Sequence, residues 1–170
     1  SDNKKEIIKQ AIFLSNLGNN VYVKIPIVNS KGKSMISTIK LLSKKNIRLN
    51  ITAIMTIQQV KQVVKNLNIN IENYISIFSG RIAGTGRDPI PTIKTSVKIL
   101  KKYKKFEIIW ASTREVYNIF QANNVKCHII TVGYDFINKL NMIGTNLNYL
   151  SKITSRQFVN DAKKSGFKII

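Results

Sequence analysis

A lysine stands inside an apolar run. Lys24 lies in Val21-Tyr22-Val23-Lys24-Ile25-Pro26-Ile27, with Val21, Val23, Ile25 and Ile27 around it. A buried lysine must be paired or neutralised. Burial disfavours the ammonium and yields the free amine that attacks a carbonyl. A strand-edge lysine that lays its stem over apolar surface and keeps its head in water fits the position equally well. Asn50 and Thr52 alternate with Leu49, Ile51 and Ala53, so both fall on one face of a strand. That face is either the interior of a site or the half-solvated side of a sheet. Arg81 follows the apolar run Tyr74 to Phe78 by a few residues, and Ser112 and Arg114 follow Glu107 to Ala111. Two guanidinium groups and a hydroxyl on successive loops can converge on one phosphate, with helix N-terminal amides helping. Taken singly, each arginine reads as a surface ion pair; their shared placement favours the phosphate. Gly84-Thr85-Gly86 lacks the full G-x-G-x-x-G pattern and the lysine of a P-loop, so it is weak as a nucleotide loop.

Short apolar runs and longer amphipathic ones alternate to position these residues. Strands are expected at Val21 to Ile27, Arg48 to Ile54, Tyr74 to Phe78, Glu107 to Ala111 and Lys126 to Val132. Helices are expected at about Asp2 to Leu17, ended by Gly18, then Lys33 to Lys45 and Thr56 to Leu67. Thr56 with Gln59 reads as a capping box. A glycine-rich loop is expected from Ser79 to Pro89, then a helix from Ile90 or Pro91 to about Tyr103. Ser112 or Thr113 is placed to cap a helix reaching Asn123, and Tyr134 to Leu140 and Ser155 to Ser165 read as further helices. The order is one helix, then five βα units. Apolar strands separated by helices imply a parallel sheet covered by helices. Chemistry in such folds gathers at the C-terminal ends of the strands. No linker divides residues 1–170, so one domain is expected.

Composition narrows the function classes. Hydrophobic residues make up 44% and charged residues 21%, a globular balance. The net charge of +20 invites a nucleic-acid reading. Against it, the 28 basic residues are 23 Lys and only 5 Arg, spread along the chain without interleaved aromatics. A biased composition on solvated surfaces is the favoured reading, and the positive field would still draw in phosphorylated sugars. Cys127 and His128, the only residues of their kinds, make neither a disulfide nor a four-ligand zinc site within the chain. Both fall in an apolar run expected to be a buried strand. No signal peptide or membrane-length apolar run is evident, so a cytoplasmic location is expected.

The segment Val21 to Gly32, "VYVKIPIVNSKG", resembles the Schiff-base strand of the transaldolase and fructose-6-phosphate aldolase family. "LNITAIMTIQQ", "IFSGRIAGTGRDPIP", "IIWASTREVYN" and "CHIITVGYDFINKL" resemble the strands and loops that follow it, so the likeness runs from about residue 5 to 165. The resemblance implies a TIM-type (β/α)8 barrel of which about five βα units are present. It makes Lys24 the nucleophile. Asn50 and Thr52 would orient the lysine, substrate hydroxyls and a catalytic water, while Arg81, Ser112 and Arg114 would hold the phosphate. Phe78 stands where aldolase members tend to carry tyrosine, as in members that look like transaldolases. The implied reaction transfers a dihydroxyacetone unit from a ketose phosphate to an aldose phosphate, with no cofactor or metal. A homo-oligomer is expected if the full barrel forms.

The family's first three strands, with an aspartate, a Thr/Asn pair and a carboxylate used in proton transfer, have no counterpart in these residues. The chain thus resembles the C-terminal two-thirds of the barrel. Asp88 and Glu115 lie near the active face and match no catalytic position of the family. Two alternatives stay open: an aldolase-type lyase acting on fructose 6-phosphate, and a non-catalytic sugar-phosphate or polyanion binder.

Overall fold

The computed structural model describes residues 1–166. The chain divides into two compact units, 1–133 and 134–170. The first begins with helix α1 (Lys4–Ser15) and continues β1 (Val23–Pro26), α2 (Ile36–Lys44), β2 (Leu49–Ile54), α3 (Ile57–Val64) and β3 (Asn73–Ile77). It then runs through the short α4 (Ser79–Ala83), α5 (Ile90–Leu100), β4 (Phe106–Trp110), α6 (Tyr117–Asn124) and β5 (Ile129–Ile130). The second unit holds α7 (Tyr134–Ile137), a 3₁₀ turn (Leu140–Met142) and α8 (Leu147–Ser165). None of the described helices is long and apolar enough to cross a membrane.

All five strands are parallel and stand in the order β1-β2-β3-β4-β5. The order never reverses, unlike that of a doubly wound sheet. With crossovers of one hand, the helices then cover one face and leave the other free. The fold is α/β, with the arrangement of a partial (β/α)8 barrel. The helix-facing core is branched and aliphatic: Leu49, Ile51, Ile54, Ile75, Ile77 and Ile108 are fully buried with Ile39, Leu42, Val60, Val63 and Ile93 of the helices. Each such side chain contributes about 1.5–3 kcal/mol of hydrophobic free energy. A bulge in β2 lies between Ile51 and Ile54, and Ala53 there adopts a left-handed φ of 58°. The extra residue returns Ile54 to the buried side after the alternation Leu49, Ile51.

The strands and the main helices fall where sequence periodicity puts them, shortened at their ends. Thr56 and Gln59 form the expected capping box: Gln59 N–H donates to Thr56 Oγ1 at 3.2 Å, and Thr56 N–H to Gln59 Oε1 at 3.0 Å. Other details differ. α1 ends in a right-handed cap at Asn16, before Gly18. The expected loop from Ser79 starts as helix α4, because the chain turns directly out of β3. The strand expected at Lys126 to Val132 is only Ile129–Ile130, and His128 is exposed with Cys127 half-buried. α8 starts at Leu147, well before Ser155, because Asn146 caps it by accepting from the N–H groups of Asn148 and Tyr149. Gly166 closes α8 at a left-handed φ of 68°.

Candidate functional site

Parallel register sets the first part of the site. Lys24 on β1 is the Cα partner of Asn50, Asn50 of Tyr74, and Tyr74 of Glu107. These four form a row across the free face, with neighbouring strands about 4.8 Å apart. One step on, Pro26 pairs with Thr52. Val23 and Ile25 are buried toward the helices, while Lys24 and Pro26 are exposed on the opposite side. Of the two readings left open for Lys24, the structure takes the exposed one. Its apolar neighbours belong to the other face of the strand, and period-2 alternation sends the lysine to the free face. No carboxylate pairs with it among the described residues.

A side-chain hydrogen bond joins β3 to the first row. Ser76 Oγ donates to Asn50 Oδ1 at 2.7 Å, which fixes the orientation of the Asn50 amide. Thr52 is buried, and its Oγ1 has no hydrogen-bond partner among the described residues. A buried hydroxyl in that condition costs about 1–3 kcal/mol unless something polar meets it. Nearer the start of the strands, Tyr22 and Tyr74 stack with ring centroids 4.3 Å apart. Tyr22 Oη donates to Glu72 Oε2 at 2.7 Å. Desolvation first, then the Glu72 acceptor, holds this phenol well above its usual range. The Arg48 guanidinium lies 5.8 Å from the Tyr22 ring and 3.8 Å from the Glu72 carboxylate. This cluster braces the strand bases and occupies Arg48.

The second part of the site lies beyond the strand ends. Phe78 N–H donates to Ile54 O at 2.9 Å and Ala111 N–H to Ile77 O at 2.8 Å, so the ladder continues past β3 and β4 into both loops. α4 starts at once, and Gly80 in its first turn lies hard against the loop after β4. A Cβ on Gly80 would stand 1.8 Å from the Ser112 carbonyl oxygen and 2.8 Å from Arg114 Cγ. Only glycine permits that approach. Ser112 itself turns at a left-handed φ of 62°. Arg81 and Arg114 therefore line one cleft of about 1060 Å³, together with Met55, Thr56 and residues of the Ile82–Arg87 stretch. The Arg81 guanidinium sits 5.8 Å from the ring centre of half-buried Phe78, a cation–π contact that holds it toward the strand end.

The structure thus gathers Lys24, Asn50 and Thr52 on the free face, and Arg81 and Arg114 in the cleft, with Phe78 beneath Arg81. Ser112 contributes its backbone to the junction and is half-buried beside it. It does not cap a helix, and neither does Thr113, whose Oγ1 donates to Thr131 O at 2.6 Å. α6 has no side-chain cap at Val116, and a side chain from within the helix instead ties down the loop before it. Buried Asn118, inside α6, accepts from the N–H groups of Arg114 at 2.9 Å and Glu115 at 3.2 Å. Its own amide donates to Gln121 Oε1 at 2.8 Å. Ser76, Asn118 and Arg87, also in the cleft wall, went unnoticed in the sequence. Ser76 carried a usable signal, since it alternates with the buried isoleucines of β3 and shares a face with Phe78.

The remaining candidates play smaller parts. His128 Nδ1 accepts from Ile108 N–H at 3.1 Å, so that nitrogen stabilises the edge of β4. Burial raises the Cys127 thiol to about 11, which makes it a packed group and a poor nucleophile. No group of three or more His, Cys, Asp or Glu among the described residues is disposed to hold a metal ion.

A family model described as transaldolase/fructose-6-phosphate aldolase matches residues 1–169. A probable transaldolase of Thermoanaerobacter sp. (strain X514) is 29% identical over 170 residues, covering 99% of this chain and 73% of the relative. A probable transaldolase of Caldicellulosiruptor saccharolyticus is 29% identical over 160 residues, covering 93% and 68%. The probable transaldolase 2 of Listeria monocytogenes is 32% identical over 136 residues, covering 79% of this chain and 59% of the relative. The chain therefore spans about three-fifths to three-quarters of the length of these relatives.

Proposed function

The chain belongs to the transaldolase/fructose-6-phosphate aldolase family, and from that premise we propose that it is a transaldolase working through a Schiff base on Lys24. Lys24 Nζ attacks the ketone carbon of a ketose phosphate, and loss of water gives the protonated imine. The imine accepts the electron pair of the C3–C4 bond as that bond breaks and the C4 hydroxyl gives its proton to water, leaving an enamine of the three-carbon unit and freeing an aldose phosphate. The enamine carbon then bonds to the aldehyde carbon of an acceptor aldose phosphate, whose oxygen takes a proton from water, and hydrolysis of the imine releases the product and restores the amine. The protein's own imine serves as the electron sink.

The observation that carries this reading is the placement of two separate functions on one sheet. Lys24 and Asn50 share a register row on the free face, and Arg81 with Arg114 line a cleft at the C-terminal ends of the following strands. A substrate with a carbonyl at one end and a phosphate at the other needs both. Asn50, oriented by Ser76, and Thr52, whose buried hydroxyl has no partner among the described residues, suit the hydroxyls of the three-carbon unit and the water of imine formation. The Ser112 hydroxyl would join the two arginines on the phosphate. Phe78 in place of tyrosine favours transfer over free cleavage. A role in the pentose phosphate pathway, in the cytoplasm, follows from this reading.

The test is borohydride trapping. The chain is incubated with fructose 6-phosphate, reduced, digested and mapped. A single adduct on the Lys24 peptide is expected, with none in Lys24→Ala. An adduct elsewhere, or none from a folded sample, would overturn the assignment.

A further inference from the structure

Arginine is scarce in this chain, 5 residues against 23 lysines. Where a surface needs only charge, the sequence uses lysine. Three of the five arginines, Arg81, Arg87 and Arg114, line one and the same cleft at the strand ends. Arg48 is engaged by Glu72 and Tyr22. None of the three in the cleft pairs with a carboxylate among the described residues. A planar guanidinium fork is what lysine cannot replace when two oxygens of one anion must be met together.

Arg87 is also held in place. Its Nη1 donates to Thr85 Oγ1 at 3.0 Å, and Thr85 Oγ1 in turn donates to Ile82 O of α4 at 2.8 Å. Gly86, at a φ of 76°, supplies the backbone reversal between them. The adjacent carboxylate does not neutralise it: Asp88 Oδ1 accepts from Ile90 N–H at 2.9 Å, at the start of α5. Glu115 is the one carboxylate lining the cleft. Three guanidinium groups and one carboxylate leave two positive charges facing the cavity, the complement of a phosphate monoester dianion.

We propose that Arg87 is a third phosphate-holding residue of this cleft, so that three guanidinium groups meet the three terminal oxygens of a dianionic sugar phosphate. The inference rests on the sugar-phosphate reading given above and adds to it a residue outside the expected set. Arg87 then sets specificity at the phosphate end. It favours a dianionic, three-oxygen terminus over a carboxylate, and it acts on substrate affinity more than on the carbon–carbon chemistry.

The test is isothermal titration of the whole chain with inorganic phosphate, comparing the unaltered protein with Arg87→Ala, Arg87→Lys, Arg114→Ala and Lys98→Ala. Lys98→Ala removes one charge from the outward side of α5 and controls for the overall positive field. Arg87→Ala should weaken phosphate about tenfold and Arg87→Lys about threefold, while Lys98→Ala stays within about twofold. The apo melting temperatures should agree, since Arg87 is exposed. Equal losses in Arg87→Ala and Lys98→Ala would overturn the inference, because the effect would then be net charge alone. Full affinity in Arg87→Ala beside lost affinity in Arg114→Ala would also overturn it, leaving the rest of the phosphate site standing. Absence of phosphate binding by the unaltered chain would sink the phosphate site altogether, and the Lys24 adduct would report separately on the Schiff-base reading.

Discussion

The two halves of the site are held in different ways. The cleft after β3 and β4 is fixed from several directions: Gly80 against the Ser112 carbonyl, Asn118 beneath the Arg114 and Glu115 amides, Phe78 beneath Arg81. β1, which carries Lys24, is four residues long and pairs on one side only among the described residues. Its exposed face is braced chiefly at its base, through Tyr22. The cleft lined by the arginines is therefore held by several contacts, while Lys24 stands on a strand paired on one side among the described residues. Under the proposed function, the support is placed where the phosphate would be gripped, and the latitude where the imine would form and break.

That contrast can be broken most severely at Gly80. Gly80→Ala puts a methyl 1.8 Å from a backbone oxygen, so the α4 turn and the loop after β4 must part. A loss of about 3 kcal/mol in urea unfolding is expected, with phosphate affinity lost as well. A change below about 1 kcal/mol would mean the two loops move independently. Asn118→Ala comes next. It strands two buried-side amides and should cost about 1–3 kcal/mol. It should also weaken phosphate binding while leaving Lys24 trapping by borohydride intact. If trapping and phosphate affinity fell together, the two halves would be one cooperative unit. Tyr22→Phe is the mildest. It removes the hydrogen bond to Glu72 and keeps the ring stack, for a loss of about 1 kcal/mol. Hydrogen exchange should quicken at the β1 amides while those of β3 and β4 stay unchanged. Quickening across the whole sheet would erase the distinction.

Much of this was readable in the chain before any coordinates. The centres of the strands, the Thr56–Gln59 box and the joint placement of Arg81 and Arg114 follow from local periodicity and spacing, and the structure keeps them. What stayed hidden depends on contacts distant in sequence or on the choice between two faces. The environment of Lys24 stayed open between two readings because its apolar neighbours at Val23 and Ile25 do not by themselves say which side of the strand the lysine takes. The stretch from Ser79 read as loop because glycines stand at 80, 84 and 86. Yet Gly80 is helical and is needed for a close approach to Ser112, thirty-two residues on. Ser112 and Thr113 have the chemistry of caps, yet α6 starts at Tyr117 without a side-chain cap, and Asn118 reaches back from inside the helix to hold the loop amides of Arg114 and Glu115. Arg87 was masked by the same glycine-rich spacing, since its proximity to Arg114 depends on how the α4 turn is seated.

The seating of Gly80 against Ser112 has a thermodynamic corollary. The cleft draws its walls from three successive βα connections, at Met55–Thr56, Gly80–Arg87 and Arg114–Glu115. Any anion bound there exists only when all three are assembled, so it acts as a clamp on that assembly. By mass action, phosphate at a hundred times its dissociation constant adds about 2.7 kcal/mol to folding stability. A chain of this size should gain several degrees in melting temperature. If the proposed function holds, the supply of its phosphorylated ligands would then govern the lifetime of the folded protein.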